Sequence, residues 1–270
     1  MDAFNIGPLA IPAGVAIGAA AFLAATFAGD WFKRRRGIDA GPVLWATLIS
    51  ALLSARIVFV IQHFDIYARA PLQILNIRDS GFTASAGLLV GAIVAAELTR
   101  RAQPLRKPVL AALLAGAAVW LGGTIATTDF SAAPPQIPVV ELRRLDGTPI
   151  RLTAFAGKPL VLNLWATWCG PCRREMPVLR DAQIEHPDVE FVFINQGENA
   201  EQIQRFLASQ GLEMKNVVSD PPGAVAKAIG SYGLPTTLFF DRHGVLQKRH
   251  MGELSAASLV DRLAAVRKAP

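Results

Sequence analysis

The feature that most constrains the fold of this chain is a Cys-x-x-Cys pair between a predicted buried strand and a predicted helix. Cys169 and Cys172 are the only two cysteines among the 270 residues. Residues 159–166, which precede them, form a mostly apolar run that is typical of a buried β-strand. In residues 171–183, which follow them, apolar side chains recur at helical spacing. The pair therefore lies where a strand passes into a helix.

The predicted position of Cys169 gives its sulfur a chemical role. At or just before the N-terminus of a helix, unpaired backbone N–H groups and the helix dipole stabilise an anion. The pKa of a thiol in such a place falls, so that the thiolate is available as a nucleophile at neutral pH. Cys172, one helical turn further on, is placed to resolve a mixed disulfide that Cys169 forms. The arrangement predicts a redox dithiol with a reversible Cys169–Cys172 disulfide.

Two other interpretations of the pair are weaker. Half of a zinc site would need two further ligands for tetrahedral coordination, and none of the four histidines stands at paired metal-ligand spacing. A purely structural disulfide would close so short a loop that it would remove little chain entropy. The spacing beside a strand-to-helix passage therefore favours redox chemistry, without a metal or another cofactor. The four histidines are His63, His186, His243 and His250.

The motif in residues 165–177 and its surroundings resemble the thioredoxin superfamily and, within it, the TlpA/ResA-type thiol-disulfide reductases. The resemblance covers about residues 138–263. Residues 146–158 are similar to that family's opening hairpin and to the approach to its central strand, and residues 217–244 are similar to its second half. The resemblance implies that residues 138–270 form an α/β thioredoxin-like domain, in which helices flank a central mixed sheet.

The resemblance also assigns a role to Pro235. In this family the proline of the Pro-Thr-Thr element is cis and packs against the dithiol, and Pro235 is the matching residue. A cis X–Pro bond is uncommon enough that a fold retains it for a purpose. The implied purpose is to present the backbone of Leu234 as a short strand edge for substrate polypeptide and to keep metals away from the thiols. The alternative is an ordinary turn before a strand at residues 236–241.

Glu175 is a further site residue that the resemblance suggests. Thioredoxin carries a buried aspartate near the dithiol as a proton acceptor, whereas the matching residue here is Asn163, which does not titrate. The TlpA/ResA group instead has a glutamate three residues after the second cysteine, where Glu175 stands. Three residues on a helix return to nearly the same face, so Glu175 could raise the pKa of the cysteines and shuttle protons. A solvated glutamate in the first helical turn is the alternative.

Two tryptophans flank the dithiol. Trp168, directly before Cys169, is predicted to form part of an apolar surface on which client proteins dock, while packing in the core is the alternative and suits Trp165 better. The chain also has an insertion that is typical of the TlpA group rather than of the more compact thioredoxin. Within residues 198–218 it predicts an additional helix at residues 200–209 and a short strand.

Residues 1–128 have the composition of a membrane domain. Hydrophobic residues make up 52% of the chain, which is above the usual proportion in soluble proteins, and the excess lies before residue 128. Four apolar stretches of 18 to 22 residues have the length of membrane-spanning helices, which predicts an all-α four-span domain. The stretches are about residues 8–29, 42–62, 81–98 and 108–127, and a Pro-rich linker follows at residues 129–137.

Charge predicts the orientation of these spans. Basic residues follow the first and third stretches, at 33–36, 100–101 and 106–107. Because positive residues favour the cytoplasmic side, four spans place both termini outside. We therefore expect a multi-pass protein of a bacterial inner membrane, with its dithiol domain in the oxidising periplasm and a lipid bilayer around its first half. The chain has a net charge of +6 but no nucleic-acid-binding motif, so nucleic acid is not an expected partner.

The membrane half has a resemblance of its own. Residues 55–75 and 81–89 resemble part of prolipoprotein diacylglyceryl transferase, and the likeness extends over about residues 41–100. The family's His-Gly-Gly element is here Ser85-Ala86-Gly87, and its later Arg/Asn/Gly-Glu signature has no counterpart. The resemblance therefore implies a degenerate relative that is not expected to have transferase activity.

These observations predict a membrane-anchored thiol-disulfide reductase. Cys169 would attack an exposed disulfide of a client protein, and Cys172 would displace the reduced client. Because no cysteine lies in an apolar stretch, the electrons would come from a separate transmembrane thiol donor of the DsbD/CcdA type. A disulfide oxidase or isomerase on the same fold is one alternative, since thioredoxin-fold potentials range from about −270 to −120 mV. A lipid- or lipoprotein-handling membrane module with an accessory redox domain is the other.

Overall fold

The structure is a computed structural model that describes residues 3–6, 9–127, 135–231 and 233–268. The chain divides into two compact units. The first comprises residues 1–64 and 81–132, and the second comprises residues 65–80 and 133–270. The segment between the second and third long helices thus belongs to the second unit. The predicted boundary at residue 128 therefore does not separate the two units completely.

The first unit is helical apart from a short N-terminal hairpin. Its elements, together with the short helix that leads out of it, are β1 (Ala3–Ile6), β2 (Leu9–Pro12), α1 (Ala13–Arg36), α2 (Gly41–Gln62), α3 (Phe64–Arg69), α4 (Ala84–Arg101) and α5 (Arg106–Thr127). β1 and β2 pair in antiparallel register. The first helix begins at Ala13 and not at residue 8 as predicted, because the residues directly before it pair as a strand.

Three segments of this unit are long and apolar enough to cross a membrane, namely Ala13–Arg36, Gly41–Gln62 and Gln103–Thr127. α4 is shorter and carries Glu97, Arg100 and Arg101 in its last turns, so the predicted count of four spans is not confirmed. The three segments expose many large apolar side chains, a surface that indicates membrane association. Examples are Leu23, Phe27, Leu53, Ile61 and Leu121.

α2 and α4 approach each other closely at glycines. A Cβ atom on Gly87 would lie 2.8 Å from the carbonyl oxygen of Ala51, and one on Gly91 would lie 3.2 Å from the Cβ of Ala51. Small residues at such crossings allow helix backbones to pack directly against each other in a membrane. Gly87, the last residue of the Ser85-Ala86-Gly87 element, therefore packs α4 against α2.

The second unit is built on a seven-stranded mixed sheet. Its strands are β3 (Glu141–Arg144), β4 (Pro149–Arg151), β5 (Leu160–Trp165), β6 (Glu190–Gln196), β7 (Val217–Asp220), β8 (Thr236–Phe240) and β9 (Leu246–Met251). Its helices are α6 (Gly170–Glu185), α7 (Ala200–Ser209), α8 (Ala224–Ala228) and α9 (Ala256–Lys268). The strand order is β4-β3-β7-β6-β5-β8-β9, in which β5, β6 and β7 are parallel and the other pairs antiparallel.

The core of this unit lies on both faces of the sheet, with β5 buried between them. Val161 and Trp165 pack with apolar residues of α6, α7 and α9 on one face. Leu162 packs on the other face, in the cluster that includes Val225 of α8. Successive side chains of a strand point to opposite faces, so Asn163 lies on the same face as Val161 and Trp165, the face covered by α6.

The elements predicted around the dithiol are confirmed, with small changes at their ends. The predicted strand at residues 159–166 is Leu160–Trp165, the predicted helix at 171–183 is Gly170–Glu185, the inserted helix is Ala200–Ser209, and the strand at 236–241 is Thr236–Phe240. The agreement arises because each element has one pattern of apolar residues along its length and is bounded by residues typical of turns.

The predicted linker at residues 129–137 is corrected at its end, and residues 129–134 lie outside the described residues. The carbonyl oxygen of Pro135 accepts a hydrogen bond from the backbone N–H of Leu246 at 2.8 Å. The N–H of Ile137 donates to the carbonyl oxygen of Gly244 at 3.0 Å, and its side chain is buried in the core. Residues 135–137 therefore belong to the dithiol domain, because the burial of Ile137 and pairing with the residues at the start of β9 hold them there.

Residues 65–80 join the second unit through a buried aspartate. Asp79 is fully buried, and its Oδ2 accepts hydrogen bonds from Ser255 Oγ at 2.9 Å and from the hydroxyl of Tyr67 at 3.1 Å. The Oγ of Ser258 donates to the backbone carbonyl oxygen of Asp79 at 2.6 Å. Because both serines lie at the start of α9, a segment that connects two apolar helices is packed against the dithiol domain.

Candidate active site

The two cysteines form a disulfide at the start of α6. Cys169 is the N-cap residue of this helix, and its Sγ accepts a hydrogen bond from the backbone N–H of Cys172 at 3.3 Å. Pro171 lies in the first turn, where its missing N–H removes no helical hydrogen bond. The sulfur of Cys169 thus lies at the positive end of the helix dipole, where a thiolate is stabilised.

The two sulfurs differ in accessibility. Cys172 is fully buried, Cys169 is 5% exposed, and the neighbouring Trp168 is 71% exposed. Of the two cysteines only Cys169 retains any exposed surface, so it is the one that a reaction partner can approach. Trp165, in contrast, is fully buried and packs against Phe206, with their ring centroids 5.6 Å apart. Trp168 is thus the tryptophan that lies at the surface beside the dithiol.

Glu198 holds the loop that leads from β5 to the dithiol, a role that the sequence analysis missed. Its Oε2 accepts hydrogen bonds from the backbone N–H of Thr167 and from Asn195 Nδ2, each at 2.7 Å. The hydroxyl of Thr167 donates to the other carboxylate oxygen of Glu198. The Oγ of Ser219 donates to the backbone carbonyl oxygen of Glu198 at 2.7 Å. These bonds join the loop to β6 and β7 and position the residues just before Cys169.

Leu234 and Pro235 directly precede β8, whose first residue is paired with the end of β5. The peptide bond between them is cis, as the resemblance implies. Thr236 is paired with Leu164 across β8 and β5, so Pro235 lies next to the end of the strand that leads to Cys169. The side chain of Leu234 packs against the core cluster that contains both cysteines. Leu234 and Pro235 thus lie at the end of the sheet from which the chain continues to the redox pair.

Glu175 is fully buried within α6, which rules out the alternative of a solvated glutamate in the first turn. Its Oε1 accepts a hydrogen bond from Asn163 Nδ2 at 2.7 Å, and its Oε2 accepts one from the backbone N–H of Leu254 at 3.0 Å. Asn163 Nδ2 also donates to the hydroxyl oxygen of Thr237 at 3.0 Å. The carboxyl group is therefore held between the central strands and the loop before α9.

Burial is the main cause of the raised pKa of Glu175. Removal of the carboxyl group from water raises its pKa from 4.5 to about 8, although the hydrogen bonds from Leu254 and Asn163 act in the opposite direction. The negative charge of Glu253 adds to the increase. A carboxyl group with such a pKa can both accept and release a proton near neutral pH.

The groups of the site are suited to thiol chemistry. Among the residues that the structure describes, no group of three or more His, Cys, Asp and Glu side chains is arranged to hold a metal ion. What the site does contain is one accessible sulfur at a helix N-terminus, one enclosed sulfur, and a buried carboxyl group on the same helix. The two sulfurs can supply the attacking and the resolving group of a reversible disulfide exchange.

Three contributors to the site could not be identified from the sequence. Glu198 and the backbone N–H of Leu254 contact Thr167 and Glu175 only because of the tertiary fold. His250 was considered above only as a metal ligand, yet it is buried below the loop that carries Leu254, with its Nε2 3.2 Å from the carbonyl oxygen of Glu253. The single sequence signal for a partner of this kind is a charged residue shortly after a buried strand, as Glu198 is two residues after the end of β6.

Two families match the two halves of the chain. The Redoxin family matches residues 132–264. The prolipoprotein diacylglyceryl transferase family matches residues 1–126. The division agrees with the two resemblances read from the motifs.

Individual relatives match the redox half. The thiol-disulfide oxidoreductase ResA of Geobacillus thermodenitrificans is 32% identical over 170 residues, which are 60% of this chain and 95% of the relative. The ResA protein of Halalkalibacterium halodurans is 34% identical over 150 residues, 53% of this chain and 85% of the relative. A crystal structure of a thioredoxin-family thiol:disulfide interchange protein from Chlorobium tepidum is 26% identical, covers 50% of this chain and 98% of its own, and has a TM-score of 0.45.

Proposed function

Because the chain belongs to the ResA family of thiol-disulfide oxidoreductases, we propose that it is a membrane-anchored reductase that breaks disulfide bonds in client proteins. One observation carries the proposal, the pairing of an accessible Cys169 with an enclosed Cys172 at the N-terminus of α6. The exposed Trp168 and the Leu234–Pro235 edge beside the pair form the surface on which a client would dock.

In the reducing direction, the reaction starts from the dithiol form. The Cys169 thiolate attacks one sulfur of the client disulfide and forms a mixed disulfide, and the other client sulfur leaves as a thiolate that takes up a proton. Cys172 loses its proton and attacks the Cys169 sulfur, which releases the second client sulfur to be protonated in turn. The client has then gained two electrons and two protons, and Cys169–Cys172 has become a disulfide.

The second step requires a base inside the protein, because Cys172 is closed off from water. Cys172 and Glu175 are three residues apart on α6 and are therefore neighbours on one helix face. With a pKa of about 8, Glu175 can take up the Cys172 proton near neutral pH and release it later. This proposed role is supported by its burial and by its two hydrogen-bonded neighbours.

Asn163 is suited to both protonation states of Glu175. Its Nδ2 donates to the carboxylate, and after rotation of the amide its carbonyl oxygen could accept from the protonated acid, because an amide has a donor end and an acceptor end. An aspartate at this position would instead place a second negative charge beside the first. Asparagine therefore leaves Glu175 as the one titrating group of this pair.

Each turnover consumes two electrons, so the oxidised pair must be reduced again. The chain has two cysteines, both in the site, and it therefore has no thiol of its own with which to carry electrons across a membrane. We propose that a separate transmembrane thiol protein of the DsbD/CcdA type supplies them through the same accessible Cys169.

The division of the chain into two compact units supports four membrane crossings. Residues 65–80 and 133–270 form one compact unit, so both lie on the same side of the membrane. If α5 crosses the membrane, the chain must cross once more between these two segments, and α4 is the helix that lies there. Its 18 residues span about 27 Å, close to the roughly 30 Å of a hydrocarbon core.

The charged end of α4 is compatible with such a crossing. Glu97 pairs with Arg100 at 2.9 Å and with Arg101 at 2.8 Å, so the group can lie at the headgroup level of the bilayer. The basic residues at the end of α1 and between α4 and α5 would then face the cytoplasm. The dithiol domain would face the opposite side, which in a bacterial inner membrane is the periplasm.

The direction of electron flow is tested by the reduction potential of the full chain in detergent, equilibrated with glutathione or dithiothreitol buffers. A reductase is expected to have a potential near that of thioredoxin, about −270 mV. A potential near −120 mV would identify an oxidant and would refute the reductase. The variant C169S should lose all reduction of a model disulfide, and retention of that activity would refute the mechanism.

The match of residues 1–126 to the prolipoprotein diacylglyceryl transferase family favours a second candidate function. In this candidate the membrane half handles lipid or lipoprotein, and the dithiol domain is an accessory redox domain. Replacement of residues 1–64 and 81–132 by unrelated membrane helices separates the candidates. If the helices act as an anchor, client reduction is retained. Loss of reduction, with the domain folded and exported, would favour the second candidate.

A further inference from the structure

A row of polar residues crosses the sheet beneath α6. Asn163 on β5 is paired with Thr237 on β8, and Thr237 is paired with His250 on β9. Side chains directly opposite one another on adjacent strands point to the same face. His250, which the proposed mechanism does not use, is thus buried on the face of the sheet that holds Glu175.

The hydrogen bonds of His250 determine which of its nitrogens carries the proton. Nη2 of Arg262, on α9, lies 3.0 Å from His250 Nδ1. A guanidinium group can only donate, so Nδ1 accepts and the proton of the neutral imidazole is on Nε2. Nε2 then donates to the carbonyl oxygen of Glu253 at 3.2 Å. Burial, and next the charge of Arg262, lower the pKa of His250 to about 4, so the ring is neutral over the working pH range.

The chain of hydrogen bonds continues to Glu175 through a single peptide group. The carbonyl of Glu253 and the N–H of Leu254 belong to the same peptide unit, and that N–H donates to Glu175 Oε2 at 3.0 Å. A hydrogen bond to the carbonyl polarises the unit and makes its N–H a stronger donor. Arg262, His250 and the peptide thus form one series of aligned donors that ends at the carboxyl group.

We infer that Arg262 and His250 are positioning residues for Glu175, which act through the Glu253–Leu254 peptide to stabilise its carboxylate form and thereby set the pH range of the thiol-disulfide reaction. The inference rests on the proposed role of Glu175 as the proton acceptor. It assigns a function to a buried histidine and a partly buried arginine that lie outside the redox pair itself.

Other charged groups surround this series and remain the same in every variant compared. Glu253 forms an ion pair with Arg174 at 2.7 Å and disfavours the Glu175 carboxylate. Asp79, from the segment between the apolar helices, and Asp261, on α9, both act electrostatically on Arg262. Arg262→Met removes their interaction with the guanidinium, whereas the His250 variants keep both these groups and Arg262, so a difference between His250→Leu and His250→Gln does not arise from them.

The test is the substitution Arg262→Met in the full chain in detergent. Without the guanidinium, the Leu254 N–H becomes a weaker donor, so the pH midpoint for reaction of the reduced protein with oxidised glutathione should rise by roughly half a unit to one unit. The rate at pH 7 should fall by about three- to tenfold. The titration of the Glu175 carboxyl carbon, followed by 13C NMR, should move upward by the same amount.

A matched control is available on the same helix. Arg267→Met removes an arginine that is bound to Asp188 at 2.8 Å, and it should leave both midpoints unchanged. Within the series, His250→Leu should raise the pH midpoint. His250→Gln keeps an N–H donor for the Glu253 carbonyl and should therefore raise the midpoint less.

The outcomes separate this inference from the proposed function. A folded Arg262→Met protein in which the Glu175 titration does not move would overturn the inference, even if its thermal stability falls. If Arg262→Met does not fold, a Glu175 titration that is identical in His250→Leu and His250→Gln would overturn the inference as well. A reaction profile that is unchanged by Glu175→Gln would instead refute the proposed role of Glu175.

Discussion

Cys172 is the residue whose replacement separates the two steps of the exchange. In Cys172→Ser the thiol that resolves the mixed disulfide is missing, so a covalent complex between Cys169 and a disulfide-containing peptide should accumulate. Non-reducing electrophoresis and intact mass would detect the complex, and dithiothreitol should release it. Accumulation of the complex in Cys169→Ser instead would reverse the assignment of the two sulfurs.

Glu175 should make the stability of the oxidised domain fall as the pH rises. Its pKa is 4.5 when unfolded and about 8 when folded, so the folded state holds the proton more firmly, and stability is lost as the pH rises toward 8. His250, with a folded pKa of about 4 against 6.5, acts in the opposite direction and only below pH 6.5, where the two effects offset each other.

The loss caused by Glu175 is therefore visible between pH 6.5 and 8, where it should be on the order of 2 kcal/mol. Denaturant unfolding of the oxidised protein, followed by tryptophan fluorescence, measures it. Glu175→Gln has no titrating group there and should give a free energy of unfolding that is nearly constant across this range. An equally steep decrease in Glu175→Gln would show that another group causes it.

At the scale of elements, the loop between β5 and α6 depends on Glu198. Glu198→Ala leaves the N–H of Thr167 and the amide of Asn195 without their buried acceptor, which should cost about 2 to 4 kcal/mol. The same change should slow disulfide exchange, because the loop no longer holds Cys169 at the helix N-terminus.

Glu201→Ala is the matched control for this loop. Glu201 lies three residues further on, in the first turn of α7, and forms only an exposed ion pair with Arg205 at 3.8 Å. Its removal should change stability by less than about 0.5 kcal/mol. Thermal melting of the two variants side by side tests the difference, and equal melting temperatures would contradict the role given to Glu198.

At the scale of the whole molecule, Asp79 should determine whether the segment at residues 65–80 stays packed on the dithiol domain. Asp79→Ala removes the acceptor of the hydrogen bonds from Ser255 and Tyr67. Limited proteolysis with chymotrypsin should then cleave at the exposed Leu72 or Leu75 several-fold faster. The exposed Asp65 provides the control, since Asp65→Ala should be cleaved at the wild-type rate.

Much of the redox half could be predicted because its signals are local. The apolar run before Cys169, the helical period after Cys172 and the turn between them specify β5 and α6 within a few residues of their observed ends. The prediction of spans was less reliable at α4, because an apolar run of sufficient length does not show how charges such as Glu97 and Arg100 at its end are accommodated.

The redox pair, its place at a helix N-terminus and the apolar character of the first half can be predicted from the chain, since each depends on neighbouring residues and on the period of one element. The folded protein is needed to see that Glu175 is buried and bonded to Leu254, that Glu198 holds Thr167, and that Asp79 joins Ser255, 176 residues away. Burial and hydrogen bonding shift acidity and fix loops through groups that are distant along the chain, and no local pattern records which distant groups the fold brings together.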